Sequence, residues 1–342
     1  MKLHWPSVFS WRVIGVTVLF SLTAGMFGFD TGSIGSITTM KDFENEFGVL
    51  SPLMRGVVVS IILVPSGATG VLAGSLSDRL SRKRTIALGA AIFAVGSVIS
   101  AAAKGSLGVL LLGRCVAGAG EGCFLGCLGV VLSELAPRHL RAQMMLLQQS
   151  DIDELHVKGA IAAAFFVCYG TVNIPNSLSW RLPFILQAIT GTFVAVIAPF
   201  MPYSPRWLLA QGRREEAEKV LDLLLDPRNI EERREMLSVG PASVKLSMWE
   251  AAKDIWAPGV RGRTSLGMAL NVFQQLSGIV LFYAPSLFEQ AGLDPATSSF
   301  VASGVTGLIL LACSCIGASY INKVGRRKIW LVGGTATASC HF

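Results

Sequence analysis

Long apolar runs alternate with short polar turns along this chain, and the runs have the length of membrane spans. A helix needs about 20 mostly apolar residues to cross the hydrocarbon core. Val13–Ile37, Gly56–Ser77, Thr85–Ala103, Leu107–Leu132, Leu182–Met201, Thr264–Phe288 and Ala296–Ile321 each meet that length, and a further run starts at Ile329 and reaches Phe342. The run from Trp11 to Ile37 is too long for the core of a secretory signal and has no typical cleavage site, so it reads as the first span. Gln148–Thr171 departs from the pattern. Asp151, Asp153, Glu154, His156 and Lys158 lie within its first half, and only Gly159–Tyr169 is cleanly apolar, roughly half a bilayer at about 1.5 Å per residue. Charges at mid-membrane cost about 2.5–3.5 kcal/mol each on insertion scales. Two readings stay open for this fifth span: a polar lining of a cavity, or an insertion that damages the helix.

One long polar region, roughly Ser204–Arg263, mixes both charge signs. Within it Ala217, Val220, Leu221 and Leu224 fall at helical spacing, which predicts an amphipathic helix over Arg213–Leu225, and Trp249–Trp256 predicts a second short one. The pattern therefore divides the chain into a six-helix bundle (1–203, fifth helix atypical), a connecting loop with amphipathic helices (204–263) and part of a second bundle (264–342). The fold class is all-α and polytopic, with about eight spans and a stub of a ninth.

Composition agrees with this. Mean hydropathy is +0.56, and 15% of residues are charged, against about a quarter in soluble domains. The net charge of +7 raises the question of nucleic acid. The basic residues, however, sit in short clusters between apolar runs, and no basic face interleaved with aromatics exists. The expected surroundings are a lipid bilayer, not nucleic acid. With the N-terminus inside, the inner loops hold Arg79, Arg82, Lys83 and Arg84, then Arg138 and Arg141, the basic residues of 205–263, and Lys323, Arg326, Arg327 and Lys328. The outer loops hold little beyond Lys41, Arg55, Lys104 and Arg181. The positive-inside rule thus predicts a cytoplasmic N-terminus. The seven cysteines lie within apolar stretches, which argues for free thiols over a disulfide framework or zinc site. No phosphate-cradling loop with a following Lys-Ser/Thr, no His/Cys metal spacing and no nucleophile elbow is present. No enzyme activity, cofactor or metal is expected.

The turn Asp78-Arg79-Leu80-Ser81-Arg82-Lys83-Arg84 is echoed by Asn322-Lys323-Val324-Gly325-Arg326-Arg327-Lys328. Each lies between the second and third spans of its half, as a duplicated six-helix unit would place it. Further motifs occur in order: Gly113-Arg114 with Gly118 and Gly120; Ser133-Glu134-Leu135-Ala136-Pro137 with Arg141-Ala142; Pro202-Tyr203-Ser204-Pro205-Arg206-Trp207-Leu208; and Gln274-Gln275-Leu276-Ser277-Gly278-Ile279 with Tyr283. Together these resemble the sugar porter family of the major facilitator superfamily. Ser81 and Ala142 stand where the family usually has Gly, Tyr203 where it has Glu, and Val280 where it has Asn. The resemblance covers nearly all of this chain and about two thirds of the family's twelve-helix fold.

Asp30, in Gly28-Phe29-Asp30-Thr31-Gly32, is an ionisable residue deep in the first span, which makes it a functional candidate by default. Arg114 of the fourth span is its natural partner. The resemblance implies that the pair couples protons to sugar movement: protonating Asp30 would release Arg114. The alternatives are a permanent ion pair, or an Asp30 sitting in water near the interface. Gln274 and Gln275 are amides that both donate and accept, as vicinal sugar hydroxyls require; the alternative is hydrogen bonding between helices. The resemblance favours sugar contact for both, and for Gln149 and Tyr283. It also implies that Asp78, Arg82, Glu134, Arg141, Arg206, Arg326 and Arg327 form a cytoplasmic gate of ion pairs, from which Tyr203 removes one acceptor. Glu121 lies on a similar helix face to Arg114, either as a second polar group in a cavity or as an ion-pair partner of Arg114.

The function implied is transport of a hexose-like monosaccharide with protons, by alternating access, in the plasma membrane. Two rivals stay open: a sugar-binding sensor that does not transport, and a truncated, non-functional transporter fragment.

Overall fold

The computed structural model describes residues 11–135, 152–224 and 248–278, with isolated positions elsewhere. The chain divides into two compact units, Met1–Ala242 and Ser243–Phe342. The described residues form helices and turns, without a strand.

The first unit begins with α1 (Trp11–Ile37), the short α2 (Lys41–Phe47), α3 (Pro52–Ser60), α4 (Leu63–Leu80), α5 (Arg82–Ala101) and α6 (Leu107–Leu135). There follow α7 (Ile152–Thr171), α8 (Leu178–Ile197) with a 3-10 turn at Ala198–Phe200, α9 (Pro205–Ala210) and α10 (Arg214–Leu224). Among the described residues, four segments are long and apolar enough to cross a membrane: Pro52–Leu80, Arg82–Ala101, Leu107–Val131 and Leu178–Phe200. They coincide with the second, third, fourth and sixth spans that the hydrophobic pattern predicts.

The second span is interrupted. Its first part, α3, starts where Ser51 Oγ accepts from the Met54 amide at 3.3 Å and Pro52 occupies the first turn, where its missing N–H costs nothing. The helix ends at Ser60, turns through Ile61–Ile62 and resumes as α4. Pro65 enforces the interruption, because it has no N–H to return to the carbonyl one turn earlier. In the turn that follows, the carbonyls at the end of α3 are left to find other donors.

The fifth span is a continuous 20-residue helix, Ile152–Thr171, about 30 Å long. The polar stretch does not break it. The apolar part follows on the same helix. Tertiary packing supplies what composition lacks: α7 lies along α1, and a Cβ at Gly28 of α1 would collide with the Val157 carbonyl.

The same close approach joins the second and fourth spans. The carbonyls of Ile62 and Ser66 occupy the space that side chains at Gly118 and Gly122 of α6 would need. Glycine lets the two backbones touch, as small residues do between membrane helices. A core of Leu19, Met26, Ile62, Phe93, Phe124 and Leu128 fills the interior, with Phe93 and Phe124 edge to face at 5.9 Å.

At one end of the bundle α2, not anticipated from the sequence, fastens onto the start of α8. Phe43 is fully buried against Phe47 and Trp180. Arg181 donates to Glu46 at 2.6 Å, and Trp180 Nε1 donates to the same carboxylate at 3.0 Å. Beyond the last span of the unit, α10 confirms the amphipathic helix predicted there: Ala217 is buried against Trp207, Leu208 and Leu209. In the second unit α11 (Met248–Ile255) and α12 (Arg261–Gly278) agree with the predicted short helix and with the first part of the seventh span. The predicted continuation to Phe288 and the remaining spans lie largely outside the described residues.

Gly122→Val places a branched side chain on the Ser66 carbonyl. Overpacking of this kind costs about 1–3 kcal/mol or more, so thermal unfolding of the purified protein in detergent should shift down clearly. Gly67→Ala, at a helical site with open space around it, should leave the transition unchanged or raise it slightly.

Candidate functional site

Asp30 and Arg114 meet inside the first unit. Arg114 Nη1 donates to Asp30 Oδ1 at 2.6 Å, and the two side chains are 1% and 4% exposed. The remaining guanidinium donors go to the broken second span: Nε to the Val58 carbonyl at 3.2 Å and Nη2 to the Val59 carbonyl at 3.0 Å. A cation at a helix C-terminus is favoured by the dipole, so the break in the second span supplies the acceptors that a buried arginine requires. Gln187 of α8 completes the group. Its Nε2 donates to Asp30 Oδ1 and lies at the same 3.2 Å from Ser33 Oγ, while Ser97 Oγ approaches its Oε1 at 3.5 Å. First, second, third, fourth and sixth spans thus converge on one carboxylate–guanidinium pair. The option of an Asp30 in water near the interface is excluded, because Asp30 is buried.

The sequence reading missed Gln187. The available signal was an amide within the otherwise apolar Leu182–Met201 run, the same kind of signal that drew attention to Gln274 and Gln275. Glu121 is buried on α6 and accepts from Ser66 Oγ at 3.4 Å. Among the described ion pairs, Arg114 is matched with Asp30 and not with Glu121.

A second charged cluster forms at the opposite end of the bundle from α2. Arg82 donates to both oxygens of Glu134, at 3.1 and 3.0 Å, and to Asp78 Oδ1 at 2.6 Å. The two-pronged arrangement is the strong form of an arginine–carboxylate pair. It ties the end of α4 and the start of α5 to the end of α6. α9 joins through Trp207 Nε1, which donates to the Asp78 carbonyl at 3.0 Å. Lys83 donates to the carbonyls of Pro199 and Met201 at 2.8 and 2.7 Å. It also lies 3.7 Å from the centre of the Tyr203 ring. Tyr203 therefore offers a cation its aromatic face, where the family's usual Glu would offer a carboxylate.

Of the other predicted gate residues, Arg206 is partly buried on α9 and its Nε has no partner among the described residues. Arg141, Arg326 and Arg327 lie outside the described residues, as do Gln149 and Tyr283 of the predicted sugar site. Gln274 and Gln275 are placed on α12 by its backbone.

Ser81, between α4 and α5, has φ +92° and ψ 153°, a region that essentially only glycine occupies without strain of about 1–3 kcal/mol. Its buried hydroxyl has no hydrogen-bond partner among the described residues. Ser81→Gly should therefore raise the thermal unfolding temperature of the purified protein. Asp30→Ala should lower it, because breaking one side of a buried ion pair typically costs about 3–5 kcal/mol. The double variant Asp30→Ala/Arg114→Leu should recover part of that loss in a double-mutant cycle.

The family profile described as "Sugar (and other) transporter" matches residues 16–342. A quinate permease of Neurospora africana is 30% identical over 361 residues, which cover 98% of this chain and 66% of the permease. The glucose transporter GlcP of Staphylococcus epidermidis is 31% identical, over 93% of this chain and 68% of its own length. The chain thus spans about two thirds of the length of the curated relatives it matches. Among solved structures, the proton:xylose symporter XylE bound to 6-bromo-6-deoxy-D-glucose superimposes with a TM-score of 0.75 at 21% identity, covering 94% of this chain and 72% of XylE. A partially occluded, inward-open form of XylE from E. coli gives 0.72 at 22% identity. The profile match over residues 16–342 and the superposition of the helices lead to one conclusion: the chain belongs to the Sugar (and other) transporter family, as an all-α, multi-pass integral membrane protein with the major facilitator fold.

Proposed function

We propose that this protein carries a hexose-like monosaccharide across the membrane together with protons, by alternating access of two helical bundles. The observation that carries the reading is the fully buried Asp30–Arg114 pair. Ionisable residues inside a membrane bundle are expensive and mark ion pathways. Here one carboxylate oxygen takes both the arginine and the Gln187 amide. Protonating Asp30 removes the charge that holds Arg114, so a single proton changes which spans are tied together. Such a change biases a two-state equilibrium only if the two states bind the proton differently, and an ion pair present in one state and open in the other meets that condition.

Arg82, Glu134 and Asp78 form the gate in this reading. Their bonds hold α4, α5 and α6 together at one end, which is cytoplasmic if the loop charges orient the chain with its N-terminus inside. Plasma-membrane residence belongs to the same proposal. Gln274 and Gln275 on α12, with Gln149 and Tyr283, serve as the sugar contacts. The substrate class is supported by GlcP, named as a glucose transporter, and by the glucose analogue in the XylE complex. A second substrate reading is a polyhydroxy acid. The quinate permeases among the relatives cover 98% of this chain, and Val280 removes the amide that hexose carriers of the family place there. A site built for hydroxyls discriminates strongly against loss of a partner.

The test is uptake into proteoliposomes holding the full chain, with glucose, xylose and quinate as labelled substrates and a proton gradient imposed across the membrane. Accumulation of a sugar that collapses with the gradient is the expected result. Asp30→Asn should reduce gradient-driven accumulation by about a hundredfold, the scale of losing a positioned proton-transfer group. Uptake that ignores the gradient would leave facilitated diffusion, and accumulation of quinate alone would favour the polyhydroxy acid.

A further inference from the structure

Glu121 is a buried carboxyl that the Asp30–Arg114 reading leaves without a task. It is 1% exposed and lies seven residues after Arg114 on α6. Seven residues make nearly two full turns, about 10 Å of rise, so the two side chains project from almost the same face. Side chains on a helix lean toward its N-terminus, which turns Glu121 back toward Arg114. The charges that act on it are Asp30, from α1, and Arg114, on its own helix. From α4 it meets the Ser66 hydroxyl, which donates to Oε1 at 3.4 Å. The other oxygen, Oε2, has no hydrogen-bond partner among the described residues.

This geometry suits a carboxylic acid better than a carboxylate. An ionised Glu121 would be a buried charge with one long neutral hydrogen bond and, among the described residues, no ion-pair partner, and burying such a charge is costly. The missing cation is close by: Arg114 is held by Asp30 and by two backbone carbonyls.

We propose that Glu121 is the second proton-carrying carboxyl of the buried network and the alternative seat of Arg114. In the arrangement seen here Asp30 is the carboxylate, Arg114 its cation and Glu121 the acid. When a proton binds an Asp30 oxygen, the ion pair opens. Arg114 turns along α6 toward Glu121, whose O–H proton leaves to water, and the guanidinium pairs with the new carboxylate. One cation and one anion exist before and after. One proton enters at Asp30 and one departs from Glu121, so the buried charge stays balanced throughout. Carboxyls coupled in this way titrate as a group and not as individuals. The inference rests on the proton-coupled reading above and gives it an exit for the proton.

Infrared difference spectroscopy of the full chain in lipid nanodiscs tests it without relying on transport. At neutral pH the wild type minus Glu121→Gln spectrum should contain the C=O band of a protonated carboxyl. The wild type minus Asp30→Asn spectrum should contain the same band, because without Asp30 the arginine moves to Glu121 and ionises it. Absence of the band in the first difference means that Glu121 carries no proton, and its absence in the second means that Arg114 does not change seats; either overturns the proposal. If Glu121→Gln fails to fold, the Asp30→Asn comparison, which retains Glu121, decides alone. Proteoliposome uptake measured in parallel separates the two readings. Both bands without gradient-driven uptake would leave the proton exchange standing and remove proton-coupled transport. Gradient-driven uptake without the bands would do the reverse.

Discussion

A guanidinium buried in a membrane bundle needs a counter-charge and an acceptor for each donor, and in this protein three features meet that need. Asp30 supplies the charge. The interruption of the second span supplies two free carbonyls. Glycine contacts bring α4 and α6 close enough for an arginine on one to reach the turn that leads into the other. The break, the glycines and the ion pair are thus one arrangement. A continuous second helix would keep the Val58 and Val59 carbonyls within its own ladder, and Arg114 would then be buried with unmet donors, at a cost that hydrocarbon does not forgive.

The same economy governs the charged cluster where α4, α5 and α6 meet. Arg82 is shared between two carboxylates on two helices, and Lys83 between two carbonyls and an aromatic face. The family's glycine and glutamate are both replaced here, by Ser81 and Tyr203. The first replacement leaves a strained backbone and a hydroxyl with no partner among the described residues. The second puts an aromatic face under Lys83 where the family has a carboxylate, and Tyr203 stacks on Trp207. This end of the bundle keeps its cations seated while carrying less negative charge than the family pattern provides.

Distribution of the polar groups also explains why α7 persists as a helix. Its first turns are too polar to read as a span, and sequence arithmetic gives half a bilayer. Packing along α1 removes much of that segment from consideration as a lipid-facing surface, since a helix flanked by protein need not be apolar on every side. His156 is exposed while Ile161, Ala164 and Cys168 are buried, so polarity and burial separate along its length.

The sequence alone determined what depends on local pattern. Span lengths, the amphipathic α10, the order of the motifs and the oddity of charges at Asp30 and Arg114 all follow from hydrophobic runs and from the high cost of charge in lipid, which make each such residue conspicuous. It did not reveal α2, whose seven residues are too few to show a period and whose stability comes from Trp180 and Arg181 more than a hundred positions away. Nor could it show that Gln187 joins Asp30, that Glu121 meets the Ser66 hydroxyl, or that a polar fifth segment stays helical. Those were decided by tertiary structure, because hydrogen bonds and burial depend on which helices face one another, and a chain's spacing fixes the faces of a helix without saying what lies across from them.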